Sequence, residues 1–183
     1  MSAEALDARS VANTIIRVAD EFDLPLSHLS LQKILYFIHG TYLSKTGTPL
    51  ISGYFEAWQY GPVHPVIFAS FKEAGAARLR QKAKVRDLIS GVQEEVQEPT
   101  SPSHRAFITK MALHFLHVSP GRLVDLSHAP NSPWDALTRT PSGSRAFGMR
   151  MTNEDIATRF RHHKVSVGLY PKAGEPYDES PPS

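Results

Sequence analysis

Two histidines three residues apart, His114 and His117, have a spacing that could present two ligands to one metal ion. On a helix, residues three apart lie on the same side, and imidazole is a common ligand of zinc. A zinc site needs further ligands, and the sequence contains neither an HExxH motif nor a cysteine. We therefore interpret the pair as ordinary histidines at the surface or boundary of a helix, and we expect no metal and no cofactor.

The residue types of a hydrolytic triad occur close together at Asp125, Ser127 and His128. In known triads these groups come from distant segments, and no glycine-flanked nucleophile motif surrounds this serine. A helix end whose polar side chains bond to the backbone explains the three residues more simply. We therefore predict that the protein is not an enzyme. A metal-dependent or Ser/His hydrolase is the alternative, and it rests only on His64, His114, His117 and His128.

The composition is typical of one globular domain. The chain has 183 residues, of which 41% are hydrophobic and 21% charged, and its formal net charge is +2. The N-terminus lacks the layout of a secretory signal, and no run approaches the roughly twenty apolar residues of a membrane helix. We expect a cytoplasmic protein with no membrane partner.

Hydrophobic spacing predicts a mainly α fold, a single compact helical domain with a small β-hairpin or extended arm. Asp7 is predicted to cap a first helix that ends near Phe22. Ser30 is predicted to cap a second, most buried helix that stops at Gly47. We assign residues 1–164 to the domain and residues 165–183, which are rich in proline and polar residues, to a flexible C-terminal tail.

Four later helices are also predicted. One runs from Pro65 to Glu73 and presents Val66 to the core along with Ile67, Phe68 and Phe71. The next is closed by Pro120-Gly121, and a short helix follows over GRLVDLSH, residues 121–128. The last opens at Thr152, with Asp155 completing a capping box.

Basic residues recur at every second position between Arg78 and Arg86. A strand would put them on one face, so we interpret 76–103 as a cation-protected edge element followed by a surface loop. The same residues leave contact with nucleic acid open, because phosphate binding uses Lys and Arg. A DNA-binding autorepressor is therefore an alternative function, although none of the predicted helices is rich in Arg, Lys, Asn or Gln on its outer face.

The stretch EAWQYGPVHPVI, residues 56–67, predicts a sharp elbow between a strand and a helix. Gly61 can adopt backbone angles that other residues avoid, Pro62 fixes the next angle, and Pro65 suits the first turn of a helix. We expect the rings of Trp58, Tyr60 and Trp134 to form a small inner cluster that holds the elbow against the last helices, and we assign partner contact to their edges and neighbours.

Three motifs in order resemble the Panacea (SocA-like) antitoxin domain family, and the likeness spans roughly residues 10–163. The family's Leu-Gln-Lys-Leu-Leu-Tyr helix falls on residues 31–36, its Ala-Trp-x-Tyr-Gly-Pro-Val segment on residues 57–63, and its Leu-Ser-His and Pro-Trp elements on residues 126–128 and 133–134. Residues in structural positions of these motifs are Lys33, Tyr36, Gly61 and Pro62.

This resemblance implies a compact, mainly helical antitoxin of a bacterial toxin–antitoxin module, often encoded on a prophage. It implies neutralisation of a cognate toxin by direct protein–protein binding, or else an adaptor that delivers the toxin to a Clp protease. We expect the toxin to contact the elbow and residues 127–135, and the oligomeric state is left open. The expected toxin-binding residues are Tyr54, Trp58, Tyr60, His64, His128 and Trp134.

Overall fold

The computed structural model describes residues 4–163, and seven helices and five short strands make up most of that range. The helices are α1 (Ala8–Glu21), α2 (His28–Thr46), α3 (Pro65–Phe71), α4 (Pro102–Leu116), α5 (Pro120–Ser127), α6 (Pro133–Thr138) and α7 (Asn153–Arg159). The strands are β1 (Phe55–Trp58), β2 (Gly61–Val63), β3 (Lys84–Arg86), β4 (Gln93–Glu95) and β5 (Met149–Met151). The predicted mainly α fold with a small β component is confirmed. The boundary predicted at residue 164 and the tail at 165–183 lie outside the described residues.

Helix α2 is the centre of the molecule, as its apolar sequence predicts. Residues from Leu31 to Ile38 are almost completely buried, because α1, α3, α4, α5 and α7 all pack around this helix. Gly40 allows the closest of these contacts, since a Cβ at this position would lie 2.0 Å from the ring of Phe160. Burial of each large side chain of α2 contributes about 1.5 to 3 kcal/mol to folding.

Local capping signals place most helix ends where the sequence predicts them. The carboxylate of Asp7 accepts a hydrogen bond from the amide of Arg9, and Gly47 ends α2 in the left-handed conformation. Thr152 and Asp155 form the predicted capping box at the start of α7. The prediction for Ser30 is wrong, because Ser27 is the N-cap of α2 and its hydroxyl accepts a hydrogen bond from the amide of Ser30.

Two predictions in the middle of the chain also need correction. Pro120 does not close α4 but is the first residue of α5, where a missing amide costs nothing. Val66 does not face the core and is 45% exposed. The buried residues of α3 are Ile67 and Phe71, which lie four residues apart on one side of the helix, so only that side packs on the core and Val66 is turned away from it.

The larger sheet has the antiparallel order β2-β1-β5. Trp58 pairs with Gly61 across the tight β1–β2 turn, and Phe55 pairs with Met151 of β5. The strand or arm predicted around residues 54–60 is therefore the central strand of a small sheet, which connects the elbow to the C-terminal part of the domain.

The segment 78–86 alternates as predicted but forms only a short strand. Leu79 and Ala83 are buried, whereas the cations on either side of Leu79 point outward into ion pairs, Arg78 with Asp23 and Arg80 with Asp20. Only Lys84–Arg86 forms a strand, and it pairs with β4 in a second hairpin. The predicted edge element followed by a loop is thus corrected to a hairpin whose second strand falls inside the predicted loop.

Candidate functional site

The elbow is defined here as residues 54–65, and Gly61 is its tightest point. Its φ of +100° lies in the region that favours glycine. A Cβ on Gly61 would lie 2.4 Å from Oγ of Ser127 and 2.9 Å from Cε of Lys33. Both the backbone angle and the packing require glycine at position 61. Because Lys33 belongs to the first sequence motif, Gly61 to the second and Ser127 to the third, the three motifs meet at this point.

Lys33 is completely buried beneath the elbow, and its ammonium group donates a hydrogen bond to the carbonyl of Pro62 across 2.8 Å. Among residues 4–163, no carboxylate lies within ion-pairing distance of this lysine. Burial lowers the pKa of Lys33 from its ordinary 10.5 to about 7. The hydrogen bond from Lys33 holds the backbone of the elbow in place, but burial of the charged ammonium group costs desolvation free energy.

Gln32 fixes the end of the elbow. Its Oε1 accepts a hydrogen bond from the amide of His64 at 2.8 Å, and its Nε2 donates to the carbonyl of the same residue at 3.3 Å. The ring of His64 is buried, lies within 3.0 Å of the carbonyl of Ser52 and packs edge-on against Phe55. Burial lowers the pKa of His64, so this histidine is neutral and structural in the free protein.

Trp134 joins the third motif to the elbow. Its indole nitrogen donates a hydrogen bond to the carbonyl of Trp58 at 2.7 Å. Its ring is almost completely buried, and the ring of His128 stacks on it with 3.6 Å between centroids. Burial, followed by the positive charges of Lys33 and Arg145, lowers the pKa of His128 to about 4. His128 is therefore an uncharged ring at neutral pH.

Asp135 and two arginines hold the other side of this indole. The carboxylate of Asp135 is almost fully buried, and it accepts from Arg145 at 2.7 Å and from Arg139 at 2.5 Å. The guanidinium of Arg145 also lies 5.1 Å from the centroid of the Trp134 ring. Because Arg139 caps α6 and Arg145 lies in the loop before β5, the interaction of Asp135 with these two cations fixes that loop against α6.

Tyr36 ties the centre of α2 to the last described residue, His163. The tyrosine hydroxyl and Nε2 of His163 are 2.8 Å apart, and Nδ1 of the same ring is 2.8 Å from the carbonyl of Leu126. Because that carbonyl can only accept, Nδ1 carries the proton and Nε2 accepts from the tyrosine. Burial lowers the pKa of His163 to about 4, which favours this neutral form. The sequence did not single out His163, because its partners are distant in the chain.

An apolar cleft opens beside the elbow, and we call it the elbow cleft. Its cavity volume is about 420 Å³, and Trp58, Tyr60, Val63 and Phe68 form much of its wall. The ring of Trp58 is half-buried and lies 4.8 Å from that of Phe68, whereas Tyr60 is 44% exposed. This is a concave aromatic surface on a rigid support, which suits the binding of a protein side chain.

The six predicted binding residues fall into two groups. Tyr54 and Tyr60 are exposed and Trp58 is half-buried, so these three can be reached from solvent. The rings of His64 and Trp134 are buried, and half-buried His128 stacks on Trp134. The elbow and residues 127–135 do lie side by side, while the three aromatic rings of Trp58, Tyr60 and Trp134 do not form one inner cluster.

The geometry gives the hydrolase alternative no support. The hydroxyl of Ser127 is buried and donates to the carbonyl of Val124 in its own helix at 2.7 Å, while Asp125 is exposed. Between residues 4 and 163, no three His, Cys, Asp or Glu side chains lie close enough to hold a metal ion. His117 is exposed and His114 half-buried at the end of α4, so both lie at the helix surface or boundary.

Comparisons with known proteins identify the family of this chain. The model of the family described as "Antitoxin SocA-like, Panacea domain" matches residues 31–135, a range that contains Lys33, the elbow and Trp134. The chain is 39% identical over 180 residues to Antitoxin SocA of Caulobacter vibrioides, and the match covers 98% of this chain and 96% of that protein. No solved structure matches the chain.

The chain therefore belongs to the SocA-like Panacea antitoxin family. Its similarity to Antitoxin SocA over almost the full length supports an antitoxin role. In the part of the chain that the structure describes, no helix combines the length and the apolar character needed to cross a membrane.

Proposed function

We propose that this protein neutralises a cognate toxin by direct protein–protein binding, and that the toxin docks on the elbow cleft. The observation that carries the proposal is an accessible aromatic wall, Trp58 and Tyr60, on a backbone that Lys33 and Gln32 hold in place. Tyr and Trp provide large contact areas with few rotatable bonds, and a rigid support reduces the entropy lost on binding.

The remaining predicted residues have different roles in this proposal. Tyr54 extends the accessible surface, and its ring carries the guanidinium of Arg150 at 4.3 Å. His64, His128 and Trp134 support the elbow from its buried side. Because an antitoxin must meet its toxin, we place the interaction in the cytoplasm.

Co-expression with the toxin gene encoded beside this one tests the proposal. The parent protein should restore growth and co-purify with the toxin in a stable complex. Tyr60→Ala should weaken both effects, whereas Phe22→Ala, a change of another exposed aromatic outside the cleft, should not. Toxicity that the parent protein leaves unchanged would rule the proposal out.

Two further experiments separate direct binding from the two alternative mechanisms. A Clp adaptor would shorten the half-life of the toxin in cells and would lose its effect when the Clp protease is deleted. Direct inhibition predicts that neutralisation survives that deletion. A DNA-binding repressor would shift its own promoter fragment in a gel with a strong dependence on salt. Ion pairs occupy Arg78, Arg80 and Lys82, which weakens that alternative.

A further inference from the structure

Exposed aliphatic side chains concentrate on the β3–β4 hairpin. Nine large hydrophobic residues are exposed in the described range, and four of them fall between positions 85 and 92. Leu88 is 97% exposed and Ile89 98% exposed at the tip. Single exposed hydrophobic residues are normal on a protein surface, but a cluster on one projection indicates an interaction site.

The hairpin presents different chemistry on its two faces. Val85 pairs with Glu94, and the amide of Asp87 bonds to the carbonyl of Val92, so Val85 and Val92 share a face. Asp87 and Glu94, the cross-strand partners of these valines, lie on the same face, and the opposite face carries Lys84, Arg86 and Glu95. The two valines therefore extend the apolar surface of the tip along one side of the ribbon, between two carboxylates.

Hydrogen bonds hold the tip in one conformation. The carboxylate of Asp87 accepts from the amides of Ile89 and Ser90 at 2.9 and 2.6 Å and from the hydroxyl of Ser90 at 2.9 Å. The bond from the backbone amide of Ser90 is the main reason that the pKa of Asp87 is lowered. The two aliphatic side chains are thus presented on an ordered backbone, which lowers the entropy cost of binding.

A buried asparagine anchors the base of the same hairpin. Nδ2 of Asn13 donates to the carbonyls of Ala83 and Val96 at 3.1 and 2.8 Å, and Oδ1 accepts from the amide of Ala83 at 2.7 Å. Asn13 has no exposed surface and lies on α1. An isolated two-stranded hairpin is marginally stable in water, so this anchor explains how such an exposed hairpin stays folded.

We propose that the apolar tip of this hairpin, Leu88 and Ile89 flanked by Val85 and Val92, docks into an apolar groove on the cognate toxin. This inference rests on the proposed antitoxin function and adds a second contact to that of the elbow cleft. Charge favours a protein partner, because the face with the two valines also carries the carboxylates of Asp87 and Glu94 and neither cation of the hairpin. Nucleic-acid phosphates or an anionic membrane would be repelled by these carboxylates, whereas an apolar groove with basic residues at its rim would complement them.

The experiment uses the full chain and the toxin encoded beside it, with affinity measured by isothermal titration calorimetry. The double variant Leu88→Ser/Ile89→Ser should bind the toxin at least tenfold more weakly. Asp87→Ala keeps both aliphatic side chains but loses the bonds that order the tip, so it should weaken binding about three- to tenfold. Phe22→Ser changes another exposed hydrophobic residue, 51% exposed, and should bind within twofold of the parent. Unchanged thermal midpoints would show that all the variants remain folded.

Each other outcome contradicts the inference in a recognisable way. If the parent and the double variant bind the toxin equally, the hairpin inference is wrong and the elbow proposal stands. If the parent protein itself does not bind the toxin, both the hairpin inference and the elbow proposal are wrong. Suppose that light scattering finds a dimer for the parent and a monomer for the double variant, and that both bind the toxin equally. The tip would then be a contact between two copies of this chain and not a contact with the toxin. Cosedimentation of the parent, but not the variant, with anionic vesicles would assign it to a membrane.

Discussion

The indole nitrogen of Trp134 donates a hydrogen bond to the carbonyl of Trp58 across 2.7 Å and so joins two segments 76 residues apart in sequence. The bond turns the ring of Trp134 inward, where it is 5% exposed, and leaves Trp58 and Tyr60 at the edge of the elbow cleft. The two tryptophans of the family motifs therefore have different roles. Trp134 supports the elbow, and Trp58 forms part of its surface.

Replacing Gly61 with alanine should strongly destabilise the fold. The new Cβ would combine an unfavourable φ of +100° with a 2.4 Å approach to Oγ of Ser127. Strain and overpacking together should lower the free energy of unfolding by about 2 to 4 kcal/mol, measured by urea denaturation. Gly47→Ala is the matched control, because its φ is +71° but no atom lies within 4 Å. A loss of only about 1 kcal/mol is expected there. Equal losses for the two variants would contradict the tight contact at the elbow.

Replacing Lys33 with methionine should stabilise the protein, and the gain should depend on pH. Because burial lowers the pKa of Lys33 from 10.5 to about 7, the folded state disfavours the charged form. The resulting penalty is complete below about pH 7 and disappears as the pH rises toward 10.5. Lys33→Met should therefore gain about 1 to 4 kcal/mol at pH 6 and progressively less at pH 8 and 9.

Urea denaturation at these pH values, with exposed Lys45→Met as the control, measures the difference between parent and variant. The control should show no such pH dependence. A constant difference for Lys33→Met across the range would mean that the buried lysine does not titrate as described. A loss of stability at pH 6 would mean that its bond to Pro62 outweighs desolvation.

Tyr36→Phe should destabilise the fold by about 1 to 3 kcal/mol, because it leaves Nε2 of His163 buried without its donor. Tyr42→Phe provides a control of the same chemistry. The hydroxyl of Tyr42 bonds to His104 at 3.1 Å in a partly buried site, where water can replace the lost group. Its loss should stay below about 1 kcal/mol. If the thermal midpoints of the two variants fall equally, the Tyr36–His163 bond has no special role.

The helices of this protein could be predicted because their signals are local. The Asp7 cap, the Gly47 stop and the Thr152–Asp155 capping box each depend on residues within a few positions of one another. The error at Ser30 has the same origin, because two serines three apart offer the same cap. Only the extended backbone at Ser27 decides between them.

The second hairpin and the support of the elbow could not be predicted in the same way. The alternation of residues 78–86 predicts extended backbone there, but strands β3 and β4 have three residues each and are exposed, so no buried side chain marks the limits of β3 or its pairing with β4. Their anchor, Asn13, lies 70 residues from Ala83. The sequence places Lys33 in a structural position of its motif but does not show its partner, since only the folded chain brings the carbonyl of Pro62 to its ammonium group.

Calorimetric titration of the cognate toxin into the parent and into Tyr54→Ala/Tyr60→Ala tests the central claim, that the toxin docks on the elbow, most directly. Both tyrosines are exposed, so their loss should lower the thermal midpoint only slightly, through the lost contact of Tyr54 with Arg150. If they anchor the toxin, the double variant should lose more than about 1.4 kcal/mol of binding free energy, which is a tenfold weaker affinity. Affinity equal to that of the parent, with neutralisation intact in cells, would contradict docking on the elbow.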